Sequence, residues 1–390
     1  MKYNFDTVVN RKNTDSLKYD FAAERKMSGN LIPLWIADMD FPAPPEVLVD
    51  VEKAVRHGIF GYTEAKNDYY NAVTDWFFSR YGYSVSRHET VKTPGVVYAI
   101  AMAIRAFTQP SDGIIIQTPV YYPFFEVIRD NGRNLVMNPL NYNEGNYSID
   151  FDDFESKIKT ENVKLFILCN PHNPVGRVWT RVELERLNKI CADNNVLVIS
   201  DEIHCDFVWS GYEHVCFGNI EKNAVIMTAP SKTFNLAGLQ IANIFIKNTK
   251  LRRLFKSEIA KSGYSQLNTL GLAACKSAYS KGSEWLTELK IYLQGNISAV
   301  KEFLKERLPR VKLIEPQGTY LVWLDFSAYK LTQEELDRRI IHEAGLWLDS
   351  GTMFGEDGKG FQRINVACPR GLINTALEKL EHAFKEKTNP

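Results

Sequence analysis

Between residues 91 and 246 short apolar runs recur, rich in Val and Ile, closed by turn residues and separated by helix-forming stretches. They cover 113–117, 135–139, 163–169, 196–200, 224–228 and 243–247. Runs that are apolar throughout, rather than alternating, suit strands covered on both faces. Strands spaced by helices need crossover connections, which make neighbouring strands parallel. The pattern therefore predicts an α/β fold with a mostly parallel, fully buried sheet. Between two of the runs, Thr180 and Glu183 have capping-box spacing. Leu184, Leu187, Ile190 and Cys191 then share one helical face, as a crossover helix requires.

After about residue 250 the texture changes. Helical segments dominate to roughly 308, and strand-like runs at 311–314 and 319–326 flank Pro316-Gln317-Gly318. A helix over 332–344, a strand at 362–367 and a closing helix over 373–385 follow. A chain of 390 residues exceeds one small core. We therefore expect a large domain over 51–284 and a smaller α+β domain built from 1–50 and 285–390. A cleft between two such domains is a common place for a cofactor site.

Charge excludes some functions. Lys+Arg and Asp+Glu both number 47, so no basic face announces a nucleic acid or an anionic membrane. No apolar run approaches membrane-spanning length, and the N-terminus lacks an apolar signal core, so a cytoplasmic protein is expected. Six widely spaced cysteines without a C-x-x-C pair point to reduced thiols, and seven scattered histidines show no metal-ligand spacing. Walker, G-x-G-x-x-G, H-E-x-x-H and G-x-S-x-G signatures are absent.

The polar residues that follow the strands carry the chemistry, because ligands of open parallel sheets bind at the strands' carboxyl ends. Lys232, in Ser231-Lys232-Thr233-Phe234-Asn235, follows one run with no charge nearby. Partial burial would lower its pKa and free a nucleophilic amine. Asp201 follows Val198-Ile199-Ser200, and Asn173 lies in Asn170-Pro171-His172-Asn173-Pro174-Val175-Gly176. An amine able to form an imine, with a carboxylate able to keep a ring nitrogen protonated, is the minimum kit for pyridoxal 5′-phosphate. Asp201 could equally be a helix cap, and the Asn-Pro steps explain themselves as turns. His204 could support Asp201, approach the ring oxygen, or be a loop histidine. Gly95, in Thr93-Pro94-Gly95-Val96-Val97, opens a strongly apolar helix whose free N–H groups suit a phosphate, with the Ser231 hydroxyl as a further donor. Tyr121 could stack on a ring or pack in the core. Arg363, alternating with apolar residues in Gln362-Arg363-Ile364-Asn365-Val366-Ala367, could clamp a substrate carboxylate or point to water.

In order along the chain, these motifs resemble the fold-type I pyridoxal-phosphate enzymes, the aspartate aminotransferase superfamily. The resemblance implies a large domain with a seven-stranded-type sheet. Trp35-Ile36-Ala37-Asp38-Met39-Asp40-Phe41, Phe60-Gly61-Tyr62-Thr63, Asp201-Glu202-Ile203-His204 and the run from Ser231 to Leu239 make the chain similar to the MalY/PatB-type C–S lyases. The resemblance implies that Lys232 carries the cofactor covalently and acts on the Cα proton. Asp201 would meet the ring nitrogen, Asn173 would donate to the phenolic oxygen, and Tyr121 would stack. Val96, Val97 and Ser231 would hold the phosphate, with Tyr62 supplied by the second subunit of a homodimer. Arg363, the Ala37 loop and Tyr62 would meet the substrate. Two positions depart from the aminotransferase pattern: Gln240 stands where an arginine usually contacts phosphate, and His204 stands where a tyrosine is usual.

The implied reaction is α,β-elimination from L-cystathionine or a related cysteine S-conjugate, giving a thiol such as homocysteine, pyruvate and ammonia. One alternative is an aminotransferase, passing the amino group to a 2-oxo acid. Another, of a different class, is a regulatory protein that binds a transcription factor.

Overall fold

The computed structural model describes residues 2–27 and 30–385. Seven strands form the central sheet: β1 (Thr90–Thr93), β2 (Gly113–Thr118), β3 (Asn134–Pro139), β4 (Val163–Cys169), β5 (Leu197–Asp201), β6 (Val225–Thr228) and β7 (Ala242–Ile246). Their order is β1-β7-β6-β5-β4-β2-β3. All the pairings from β6 to β3 are parallel; β7 runs antiparallel to both β6 and β1. The α/β class and the mostly parallel sheet read from the apolar runs are both present.

The continuous apolar runs have the expected cause. In β4, Phe166 and Leu168 face one core cluster while Leu165 and Ile167 face the other. Ile199 and Val198 in β5 divide in the same way. A strand with both faces in a core has no polar alternation to show. The crossover helix Arg181–Asp193 starts at the foreseen box: Glu183 N–H donates to Thr180 Oγ1 at 3.3 Å, and Thr180 N–H to Glu183 Oε2 at 2.8 Å. Leu184, Leu187, Ile190 and Cys191 are its buried residues.

One strand of the seven-stranded sheet was not foreseen. β1 has a single aliphatic residue, Val91, among Thr90, Lys92 and Thr93, and sits at the sheet's edge, where continuous apolar sequence is not required.

A second sheet, of four strands, is built from β8 (Lys312–Ile314), β9 (Leu321–Asp325), β10 (Asp349–Ser350) and β11 (Phe361–Asn365), ordered β8-β9-β11-β10 and wholly antiparallel. The helix expected over 332–344 is α-helical only over Gln333–Arg338 and widens to a π-turn over Arg339–Glu343. The closing helix is Arg370–Phe384. β10, only two residues long, left no run to recognise, yet it sets Asp349 directly opposite Arg363 of β11. The N-terminal segment joins this part of the molecule through Ile32–Pro33, which pairs in parallel with Leu346–Trp347.

Candidate active site

Five strands deliver residues to one edge of the central sheet. β5 ends in Asp201, which lies in register with Cys169 of β4 and Met227 of β6. The chain leaving β4 reaches Asn173, and the chain leaving β6 turns into the one-turn helix Pro230–Thr233, which carries Ser231 and Lys232. β2 leads to Tyr121, and β1 leads to Gly95, which caps the helix Val96–Phe107. A cavity of about 160 Å³ opens there, lined by Ala37, Val96, Val97, Tyr121, Cys169, Asn173, Asp201, Ile203, His204, Ser231, Lys232 and Ala237. Nine residues singled out from sequence thus share one space, which includes no glycine. Gly95 itself stays behind its helix, in extended backbone with φ 172°.

The amine of Lys232 donates to the carbonyl of Ala37 at 2.8 Å. Desolvation by the surrounding protein pulls its pKa down to about 8, and the Arg363 guanidinium adds to the effect. Asp201 moves the other way. Burial pushes its carboxyl up to about 7, and its one side-chain hydrogen bond among the described residues accepts from Ile203 N–H at 3.1 Å. An acceptor held in so dry a place, near the Lys232 amine but with no hydrogen-bonded cation among the described residues, is set to receive one. His204 is buried beside it with Nδ1 unpartnered among the described residues, and burial lowers its pKa, so the ring is neutral. The Tyr121 hydroxyl is pushed above its ordinary range by burial, so the ring enters the cavity uncharged.

Arg363 is tied to its neighbours. It is buried, as a carboxylate clamp should be, but it is not a free fork. One of its terminal nitrogens donates to Asn173 Oδ1 at 3.0 Å; the other donates to Trp35 carbonyl at 3.0 Å and to the carboxylate of Asp349. Its Nε–H has no partner among the described residues. Asp349 is also buried, and desolvation raises its pKa. Sequence gave no reason to single out Asp349, because its tie to Arg363 exists only once β10 and β11 pair.

Tyr62 lies outside the cavity. It is 98% exposed and, with Phe60, Gln240 and Tyr264, lines a separate open hollow. A side chain so bare on one chain fits a residue offered to a second copy.

Three further residues organise the site. Asn235 holds the Ala37 loop three times: its Oδ1 accepts from Met39 N–H at 3.0 Å, and its Nδ2 donates to the carbonyls of Met39 at 2.9 Å and Phe41 at 2.8 Å. Asn365 Nδ2 donates to the carbonyls of Ile36 at 2.7 Å and Asp38 at 2.6 Å. Both stood in quoted motifs without a role. The signal was an asparagine in otherwise apolar or strand-like sequence, where only a hydrogen-bonding duty offsets its poor fit. Tyr320, buried, donates to Ala37 carbonyl at 3.0 Å and so shares the acceptor that Lys232 uses.

Residues 30–380 match the family model for aminotransferase class I and II. The chain belongs to that family. Cystathionine beta-lyase PatB of Bacillus subtilis is 40% identical over 98% of this chain and 100% of its own length. Protein MalY of Escherichia coli is 32% identical over 98% and 99%. Among solved structures, cystalysin from Treponema denticola, which contains pyridoxal 5′-phosphate, superposes with a TM-score of 0.95 at 38% identity, covering 99% of this chain and 100% of that one. The pyridoxal-phosphate-bound C–S lyase of Staphylococcus hominis gives 0.92 at 35% identity, covering 99% of each.

The cofactor of this family member is pyridoxal 5′-phosphate, and the residues present fit it. Asp201 is a buried acceptor in need of a cationic donor, which a protonated ring nitrogen provides. The helix opening at Val96 presents uncapped N–H groups to the cavity, the usual seat of a phosphate. Lys232 supplies an amine that is easily neutralised. No helix among the described residues is long and apolar enough to cross a membrane.

Proposed function

We propose that the protein breaks the Cβ–S bond of L-cystathionine or a closely related cysteine S-conjugate by α,β-elimination, releasing a thiol, pyruvate and ammonia. The observation that carries this reading is the position of the Lys232 amine: within 2.8 Å of Ala37 carbonyl, in one cavity with Asp201 and Asn173. Full-length relatives named cystathionine beta-lyase and C–S lyase support it.

The bound cofactor supplies an electron sink that acidifies the substrate Cα. Everything else falls to the chain. Asp201 would keep the ring nitrogen protonated, and Asn173 and Tyr121 would hold the ring. Val96, Val97 and Ser231 fix the phosphate end, completed by the partner subunit's Tyr62 in a homodimer. Arg363, oriented by Asn173, receives the substrate carboxylate. Lys232, lowered to about 8, takes the Cα proton as a near-neutral base. The Ala37 carbonyl holds its amine near the reacting carbon. We also place the protein in the cytoplasm and divide it into 51–284 and the combined segments 1–50 and 285–390.

Incubating the loaded protein with L-cystathionine and no added 2-oxo acid tests the reading. Pyruvate and free thiol should accumulate together in equal amounts. Amino-group transfer that depends on a 2-oxo acid, without thiol release, would instead identify an aminotransferase. Turnover of neither kind, with specific retention of a transcription factor, would favour a regulatory role.

A further inference from the structure

The loop that carries Ala37 is held by the N-terminal segment as well as by Asn235, Asn365 and Tyr320. Residues 11–20 first tie themselves together. The Asp20 carboxylate accepts from the N–H groups of Asn13 and Thr14 at 2.9 Å and of Ser16 at 3.0 Å, and Thr14 Oγ1 donates to the Arg11 carbonyl at 2.6 Å. This small unit presents two cations to the loop. Arg11 forks onto Asp38, donating to Oδ1 at 3.1 Å and to Oδ2 at 2.7 Å. It also reaches Asp40 Oδ1 at 2.7 Å and the Met39 carbonyl at 3.2 Å. Lys18, whose side chain is fully buried, donates to Asp40 Oδ2 at 2.8 Å and lies 3.8 Å from Asp38.

Two cations against two carboxylates make a neutral cluster, with Lys18 and Asp40 both out of water. Buried charges persist only where each is matched, so the cluster has essentially one arrangement and fixes the loop in it. Tyr19 and Cys368 are the other titratable groups packed against it.

The cluster bears on the reacting amine. Lys232 donates to the carbonyl of Ala37, the residue just before Asp38. Burial and then the Arg363 guanidinium lower the Lys232 pKa, whereas Asp38 and Asp201 pull it up. His204, Tyr121 and Tyr320 also face this amine or its acceptor, and burial keeps all three uncharged. An unmatched carboxylate at position 38 would hold a proton on the amine; a guanidinium laid across both its oxygens cancels most of that pull. Arg11 does this without lining the cavity.

We propose that Arg11 is a positioning residue for Lys232: by clamping Asp38 and Asp40, with Lys18 securing the second oxygen of Asp40, it fixes the Ala37 loop and keeps the Asp38 charge from holding the amine protonated. This rests on the reading of Lys232 as the base in C–S cleavage and adds a control from outside the cavity.

Arg11→Gln tests it in cofactor-free protein, through the pH dependence of Lys232 acetylation by acetic anhydride, read by mass on its peptide. The midpoint should rise by about 0.5–1 pH unit, and amide exchange at residues 36–41 should accelerate. Arg11→Lys keeps the charge without the fork, so the midpoint should return most of the way while exchange stays fast. Adding Asp38→Asn to Arg11→Gln should bring the midpoint back to the wild-type value. A midpoint unmoved by Arg11→Gln, raised as much by Arg11→Lys, or not restored by Asp38→Asn overturns the proposal. Should Arg11→Gln fail to fold, Asp38→Asn alone decides: the midpoint should fall, and one that stays or rises overturns the proposal. The labelling needs neither cofactor nor substrate and so judges the clamp alone. Absence of pyruvate and thiol from every thioether would sink the lyase reading and leave that judgement standing.

Discussion

Asp201→Asn separates the stability of the empty site from its chemistry, because the carboxylate is costly to the first and necessary to the second. Burial raises the carboxyl from 3.8 to about 7. A raised acid favours the folded state least when ionised, so folding loses free energy as pH climbs from the unfolded value to the folded one. One pKa unit is worth about 1.4 kcal/mol. The penalty is therefore about 1.5–2 kcal/mol at pH 5 and about 4 kcal/mol at pH 8. Asparagine has no proton to release and escapes it. In cofactor-free protein, Asp201→Asn should thus be more stable than wild type, and its advantage should grow by about 2–3 kcal/mol between pH 5 and pH 8. Urea unfolding at the two pH values measures this directly. With cofactor present the order of merit reverses. The ring nitrogen loses its anionic partner, and C–S cleavage should fall on the order of 10²-fold or more. An advantage independent of pH, or larger at pH 5, would refute the assignment of a dry, unpaired carboxyl to Asp201.

Other outcomes follow from the same geometry. Lys232→Ala should abolish cleavage; in wild type, trapping of pyridoxal 5′-phosphate by borohydride, read by mass, should rise as pH passes through about 8 and the amine loses its proton. Arg363→Ala strands Asp349 as an unpaired buried charge, so unfolding near pH 8 should show a loss of about 3 kcal/mol or more. That loss should shrink as pH falls and the carboxyl takes up a proton, and adding Asp349→Asn should restore part of it. Asn235→Ala removes three hydrogen bonds to the Ala37 loop and should cost about 1–3 kcal/mol. Amide exchange should accelerate at residues 36–41, with KM rising more than kcat falls. Leu187→Ala, in the buried face of the crossover helix, should cost about 2–5 kcal/mol in unfolding without altering KM.

What could be read from sequence, and what could not, divides by the range of the interaction. β4 and β5 announce themselves because burial on both faces forces continuous apolar sequence, and Thr180 with Glu183 announce a helix start because both partners lie within one turn. Lys232, Asp201 and Asn173 were legible for a related reason. Each follows a recognisable strand, so the sheet's topology alone gathers them at one edge. β1 escaped because an edge strand can satisfy half its backbone outside the sheet and tolerate Thr90, Lys92 and Thr93. Asp349 escaped more completely. Its role depends on β10 pairing with β11, a register that places a carboxylate against Arg363 from fourteen residues away. A strand arginine alternating with apolar neighbours can be foreseen as buried, but its counter-ion cannot. The carboxylate also changes what the arginine can do. A free guanidinium would bind any α-carboxylate, whereas one already tied to Asp349, Asn173 and Trp35 carbonyl is held in one orientation. It accepts a substrate only where its remaining N–H edge points. The directional selectivity of the site therefore resides in contacts between strands and loops distant in sequence, even though its reactive groups are readable one strand at a time.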